Sequence, residues 1–74
     1  MKNVTIYTSS TCGYCALAKE YLDEKGVDYV EKNIQKDPNA RKELMQKGYM
    51  GVPVIIVGGE EIVGFDKNRL ESLL

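Results

Sequence analysis

The sequence contains no histidine, no tryptophan, one phenylalanine, two prolines and two cysteines in 74 residues. Each shortage removes a class of chemistry. Without an imidazole the usual general base is missing. A structural zinc centre asks for about four Cys or His ligands. Two cysteines and no histidine all but exclude one built within this chain. No charge of one sign dominates: Lys plus Arg is 10, Asp plus Glu is 11, and the formal net charge is −1. That balance offers no footprint for nucleic acid or for an anionic membrane. The longest apolar run, Val52-Pro53-Val54-Ile55-Ile56-Val57, is far short of the roughly 18 residues that span a bilayer. The start, Met1-Lys2-Asn3-Val4-Thr5, has no apolar export core, so the cytosol is the expected compartment. Structural disulfides rarely persist there, and paired cysteines then suggest redox or metal chemistry.

Residues 1–74 read as a single domain. A domain this short buries only about 60% of its unfolded surface, so its core is thin and its chemistry has to be compact and near the surface. Residues 3–8 are β-branched and aromatic with rough alternation, and predict a strand. Ser9-Ser10-Thr11 reads as loop, with Thr11 as a helix N-cap. Helical spacing runs from Cys12 to Lys25, with Leu17/Tyr21 and Ala18/Leu22 as inward pairs and Gly26 as the stop. Val27 to Asn33 predicts a second, more polar strand at a sheet edge. Asp37-Pro38 starts a second helix, expected to run to about Lys47 and stop at Gly48, with Ala40, Leu44 and Met45 inward. Val54–Val57 and Glu60–Val63 read as strands joined by a Gly58-Gly59 hairpin turn. Lys67 to Leu74 reads as a short helix capped by Asp66, with Leu70, Leu73 and Leu74 facing in. The order β-α-β-α-β-β-α predicts an α/β fold. Its first β-α-β is a parallel crossover and its last strand pair is antiparallel, giving a four-stranded mixed sheet with helices on both faces.

The chemistry concentrates in Cys12-Gly13-Tyr14-Cys15. Cys12 falls where a strand turns into a helix. Unpaired N–H groups and the positive end of the helix dipole favour an anion there. A thiolate at Cys12 can attack a disulfide and form a mixed disulfide. One helical turn returns Cys15 to the same face, where it can attack Cys12 and release the substrate thiol. Three plainer readings stand beside this one: a structural disulfide, half of an intermolecular zinc site, or two buried core cysteines. The first closes so short a loop that chain entropy gives it only about 2 kcal/mol.

The residues around this motif resemble glutaredoxin, a family of the thioredoxin superfamily, over nearly the whole chain. Val4-Thr5-Ile6-Tyr7-Thr8-Ser9-Ser10-Thr11-Cys12-Gly13-Tyr14-Cys15 resembles the family's first strand and active-site loop, and Ala18-Lys19 continues its pattern. Gly51-Val52-Pro53 stands where the family carries Thr-Val-Pro, and Val63-Gly64-Phe65-Asp66 stands where it carries Gly-Gly, a short residue and Asp. The resemblance implies a minimal thioredoxin fold with Cys12 and Cys15 catalytic. It implies a cis Pro53 beside them, with the Val52 backbone turned toward Cys12 to pair with an extended substrate. It also implies that Tyr14 flanks the sulfur and that Gly64, Phe65 and Asp66 form part of a glutathione site, Asp66 holding the ammonium of the γ-glutamyl group. The plainer alternatives are an exposed aromatic at Tyr14, a proline at a strand start, a core Phe65 and a simple helix cap at Asp66.

Two departures bear on glutathione. Gly13 replaces the family's usual proline, which restores an N–H near the sulfur and loosens the loop. Thr8 stands where the family carries a lysine that helps bind a glutathione carboxylate. Arg41 and Lys47 are cations that could replace it, with nothing in the sequence bringing them to the site. Lys19, four residues after Cys15, could stabilise a Cys15 thiolate or be a solvated helix face. The implied activity is thiol–disulfide exchange on protein or glutathione mixed disulfides, recharged by glutathione, with no tightly bound cofactor and a monomeric chain. The alternatives are a redoxin recharged by thioredoxin reductase, as in supply of ribonucleotide reductase, and a dimer holding a [2Fe–2S] cluster, which Gly13 permits.

Overall fold

The computed structural model describes residues 3–49 and 51–74. Its elements are β1 (Val4–Thr8), α1 (Gly13–Glu24), β2 (Val30–Asn33), α2 (Pro38–Gln46), β3 (Val54–Val57), β4 (Glu60–Val63) and α3 (Lys67–Leu73). The four strands form one sheet in the order β2-β1-β3-β4. β1 pairs with β2 in parallel, from Thr5↔Val30 to Thr8↔Asn33. β1 pairs with β3, and β3 with β4, in antiparallel register. The α/β order, the mixed sheet and the edge position of β2 all match expectation.

Period-two alternation divides the apolar residues between two faces. Val4 and Ile6 of β1, Ile55 and Val57 of β3 and Ile62 of β4 pack against Ala18, Tyr21 and Leu22 of α1 and Leu70 of α3. Tyr7 and Val54 point the other way, onto Ala40 and Leu44 of α2. Helices therefore cover both faces, and the C-terminal end of β1 opens directly into the Ser9–Thr11 loop. None of the described helices is long and apolar enough to cross a membrane.

Several boundaries differ from expectation for identifiable reasons. The helix N-cap is Cys12 rather than Thr11. Cys12 has extended backbone (φ −93°, ψ 113°) and its sulfur accepts the Cys15 N–H, so the helix begins at Gly13. Strand β2 begins at Val30, three residues later than expected. The Val27 N–H is spent on the Leu22 carbonyl at 3.0 Å, and Gly26 N–H on Asp23 at 3.1 Å, which closes α1 through the left-handed Gly26 (φ 67°). Gly48 closes α2 in the same way, its N–H on Met45 and that of Tyr49 on Leu44.

Three residues expected to face inward do not. Leu17 is 50% exposed, Met45 63% and Leu74 43%. The buried stripe of α1 is Cys15-Ala18-Tyr21-Leu22, which leaves Leu17 at its margin. On α2, Met45 lies about 100° round from the buried Leu44. Leu74 lies just past the end of α3, and Leu73 packs half-buried against the core. Asp37 and Asp66 cap α2 and α3 as expected, accepting N–H bonds from Asn39 and Ala40 and from Arg69.

Candidate active site

The Cys12 sulfur is the hub of the site. It accepts the Cys15 N–H at 3.2 Å, and its thiol can donate to the Val52 carbonyl 3.7 Å away. Cys12 is partly exposed, while Cys15, one turn into α1, is 1% exposed. Both thiols are free. One sulfur thus reaches solvent and the other is buried behind it.

Burial is the main reason that the Cys15 thiol is pushed up to about 12, with its interaction with Cys12 adding to the rise. The Ser9 amide and the charge of Lys19 pull the other way. Cys15 is accordingly a neutral thiol in the reduced protein.

The remaining predicted residues fall in three places. The Val52–Pro53 peptide bond is cis, Pro53 is buried, and Val52 is half-buried. Gly64 has φ 86° and its N–H bonds to the Pro53 carbonyl at 2.8 Å, which ties the Gly64–Asp66 turn to the proline. Tyr14, two residues after Cys12, projects into solvent, 67% exposed. Phe65 turns toward α1, its ring 5.9 Å from that of Tyr21, and lines a shallow groove with Leu17, Glu20, Glu24 and Lys67. It is both core and groove wall. The Asp66 carboxylate accepts the Arg69 N–H at 3.2 Å. Lys47, one of the two candidate cations, is paired with Glu61 at 2.9 Å on β4. A concavity larger than that groove lies at the opposite end of β1, around Val4, Gly26, Tyr29 and Val30, and contains none of the predicted site residues.

Two clusters have no signal in the sequence. In the first, Gln35 clamps the loop before Cys12. It accepts the Ser10 N–H at 3.1 Å and donates to the Thr11 hydroxyl at 3.4 Å, while Asn33 donates to the Ser10 hydroxyl at 3.1 Å. In the second, Thr8 is buried and donates to Glu31 Oε2 at 2.8 Å, and Lys19 Nζ reaches the same oxygen at 3.0 Å. The Thr8 hydroxyl and then the Lys19 ammonium hold the Glu31 carboxyl below its ordinary range, and Glu31 holds Lys19 above its own. Lys19 is therefore neither a bare solvated residue nor a direct sulfur ligand. Among the described residues no three His, Cys, Asp or Glu side chains come together as a metal-binding set.

Comparison with known proteins gives a consistent picture. The glutaredoxin family model matches residues 4–62. A glutaredoxin-like 8.6 kDa protein of Clostridium pasteurianum is 39% identical over 72 residues, covering 96% of each chain. Glutaredoxin 3 of Escherichia coli is 40% identical over 67 residues, which is 89% of this chain and 81% of that one. The solved structure of the NrdH-redoxin of E. coli, a glutaredoxin-like protein with a thioredoxin-like activity profile, superposes with a TM-score of 0.88 at 29% identity, covering 97% of this chain and 95% of that one.

Proposed function

The chain belongs to the glutaredoxin family, and we propose that it is a cytosolic dithiol oxidoreductase reducing disulfides in other proteins, with Cys12 as nucleophile and Cys15 as resolving thiol. The observation that carries this reading is the seating of the Cys12 sulfur between the Cys15 N–H and the Val52 carbonyl, with Cys15 buried behind it. Cys12 attacks a substrate disulfide and leaves one substrate sulfur as a thiol. Cys15 then attacks Cys12, the second substrate sulfur departs as a thiol, and a Cys12–Cys15 disulfide remains. The two electrons taken by the substrate disulfide come from the two thiols of the protein. An extended substrate strand can run past Val52 and use its backbone groups, with Tyr14 offering an aromatic edge.

The oxidised protein needs a source of electrons. Glutathione is the reductant that the family resemblance implies, with Gly64, Phe65 and Asp66 as its site. A partner flavoenzyme of the thioredoxin reductase kind is favoured by two observations. The residue in place of the family lysine is the buried Thr8, whose hydroxyl is given to Glu31, and Lys19 is paired with that same Glu31. Neither Thr8 nor Lys19 is thereby left unpaired to meet a glutathione carboxylate. The likeness to the NrdH-redoxin, described as having a thioredoxin-like activity profile, points the same way. The test is NADPH oxidation in the presence of a protein disulfide, with glutathione and glutathione reductase in one arm and thioredoxin reductase in the other. Turnover in the reductase arm alone supports the favoured donor. Turnover in the glutathione arm reverses it, and none in either arm refutes the oxidoreductase reading.

A further inference from the structure

Resolution of the mixed disulfide needs a Cys15 thiolate, and Cys15 is a buried, neutral thiol in a protein without histidine. Among the described residues, the charged and titratable groups that bear on it most lie on α1 and around β2. On its own helix they are Cys12 and Lys19. Behind Lys19 stand Glu31 of β2, Tyr29 before that strand and, through Tyr29, Asp23. Lys36 acts on Glu31. Strand β1 adds Tyr7, which faces α2 on the other side of the sheet, and β3 has no titratable residue. When Cys12 is tied up in a mixed disulfide, its own part in holding the Cys15 proton falls away. Lys19 then remains as the neighbouring charge.

Lys19 lies four residues after Cys15, so the two side chains share one face of α1. Its ammonium is drawn across to β2 by Glu31 at 3.0 Å, and Glu31 is fixed in turn by the buried Thr8 hydroxyl at 2.8 Å. We propose that the Lys19–Glu31 pair is a positioning device for the second half of the reaction: Lys19 supplies the positive charge that favours the Cys15 thiolate, and Glu31 fixes where that charge sits and how much of it Cys15 feels. The proposal rests on the dithiol reading above. The step it governs is balanced within the site. The Cys15 proton leaves to solvent, the Cys15 sulfur bonds to the Cys12 sulfur, the bond from Cys12 to the substrate sulfur breaks, and the departing thiolate takes up a proton.

A simple staple between α1 and β2 would behave differently from a charge device, and the two partners distinguish them. Lys19→Gln and Glu31→Gln break the same ion pair but leave opposite charges behind. The pair is about one-third exposed on each side, so both variants are expected to fold. The experiment is stopped-flow reaction of the reduced protein with excess 5,5′-dithiobis(2-nitrobenzoate) between pH 6 and 10. The first nitrothiobenzoate is released by Cys12 in a phase that depends on reagent concentration. The second is released by Cys15 in a phase that does not.

A single charge felt through solvent over one helical turn changes the thiolate population about threefold. Part of that gain is offset by lower nucleophilicity. At pH 7 the second phase is therefore expected to slow about twofold in Lys19→Gln, with its pH profile displaced upward. It is expected to quicken by a similar factor in Glu31→Gln, with its profile displaced downward, and Lys19→Arg is expected to keep the wild-type profile. Equal slowing in both glutamine variants, or no displacement in either, overturns the proposal and leaves the pair as a staple. Release of only one nitrothiobenzoate by the wild type refutes the dithiol reading itself, a result that is distinct from either of these.

Discussion

Cys15 and Cys12 are predicted to differ sharply toward an alkylating agent in the folded protein. Burial, with a contribution from Cys12, raises the Cys15 thiol from 9.0 to about 12. At neutral pH that change lowers its thiolate fraction about a thousandfold relative to an ordinary thiol. Its 1% exposure adds a steric barrier on top. Cys12 is partly exposed and carries an N–H donor on its sulfur. Reduced protein treated with iodoacetamide at pH 7 should therefore gain one carbamidomethyl group, at Cys12, long before a second. Peptide mass spectrometry at timed quenches reads the ratio, and a parallel sample in denaturant should gain two groups at similar rates. Two native cysteines labelled at rates within a factor of about ten would refute the reasoning, because burial and the raised thiol would then not control access to Cys15.

Other outcomes follow from the same geometry. The folded state retains the Cys15 proton between pH 9.0 and about 12, while the unfolded chain loses it. The stabilisation is therefore whole below pH 9 and declines above it by up to about 1.4 kcal/mol per pH unit; denaturant titrations of Cys15→Ala should show a flatter decline than the wild type. Tyr21 places its hydroxyl in the core without a hydrogen-bond partner among the described residues, so Tyr21→Phe should leave the melting temperature unchanged or raise it. A loss of more than about 1 kcal/mol of unfolding free energy would mean that the hydroxyl has a partner after all. Asp66→Ala removes the cap on α3 and should cost about 1 kcal/mol in a urea titration. If Asp66 also binds glutathione, the same variant will raise KM for glutathione as well.

Much of this fold is readable because its local signals agree with one another. Alternation in Val4-Thr5-Ile6-Tyr7 sends Ile6 to the α1 face and Tyr7 to the α2 face. The Gly58-Gly59 turn adopts φ 56° and 93°, which suits a tight hairpin. Asp37-Pro38 starts α2 with both devices expected of it. Cys12 and Cys15 stand one helical turn apart, so their proximity needs no tertiary information. The Thr8–Glu31 and Ser10–Gln35 contacts are different. They join residues 23 and 25 apart in the chain, brought together by the parallel register of β1 and β2. Nothing in either segment alone announces that register. Leu17 and Met45 illustrate a second limit: helical spacing identifies a face but not its margin, which depends on the neighbouring elements.

In the proposed mechanism Cys12 attacks first and Cys15 releases the product. The most direct test of this order is incubation of Cys15→Ser and of Cys12→Ser with an oxidised, disulfide-bonded peptide, followed by intact-mass analysis without reductant. The prediction is one peptide adduct on Cys15→Ser, mapped to Cys12 and removed by dithiothreitol, with none on Cys12→Ser. An adduct on Cys12→Ser, or none on Cys15→Ser, would contradict it.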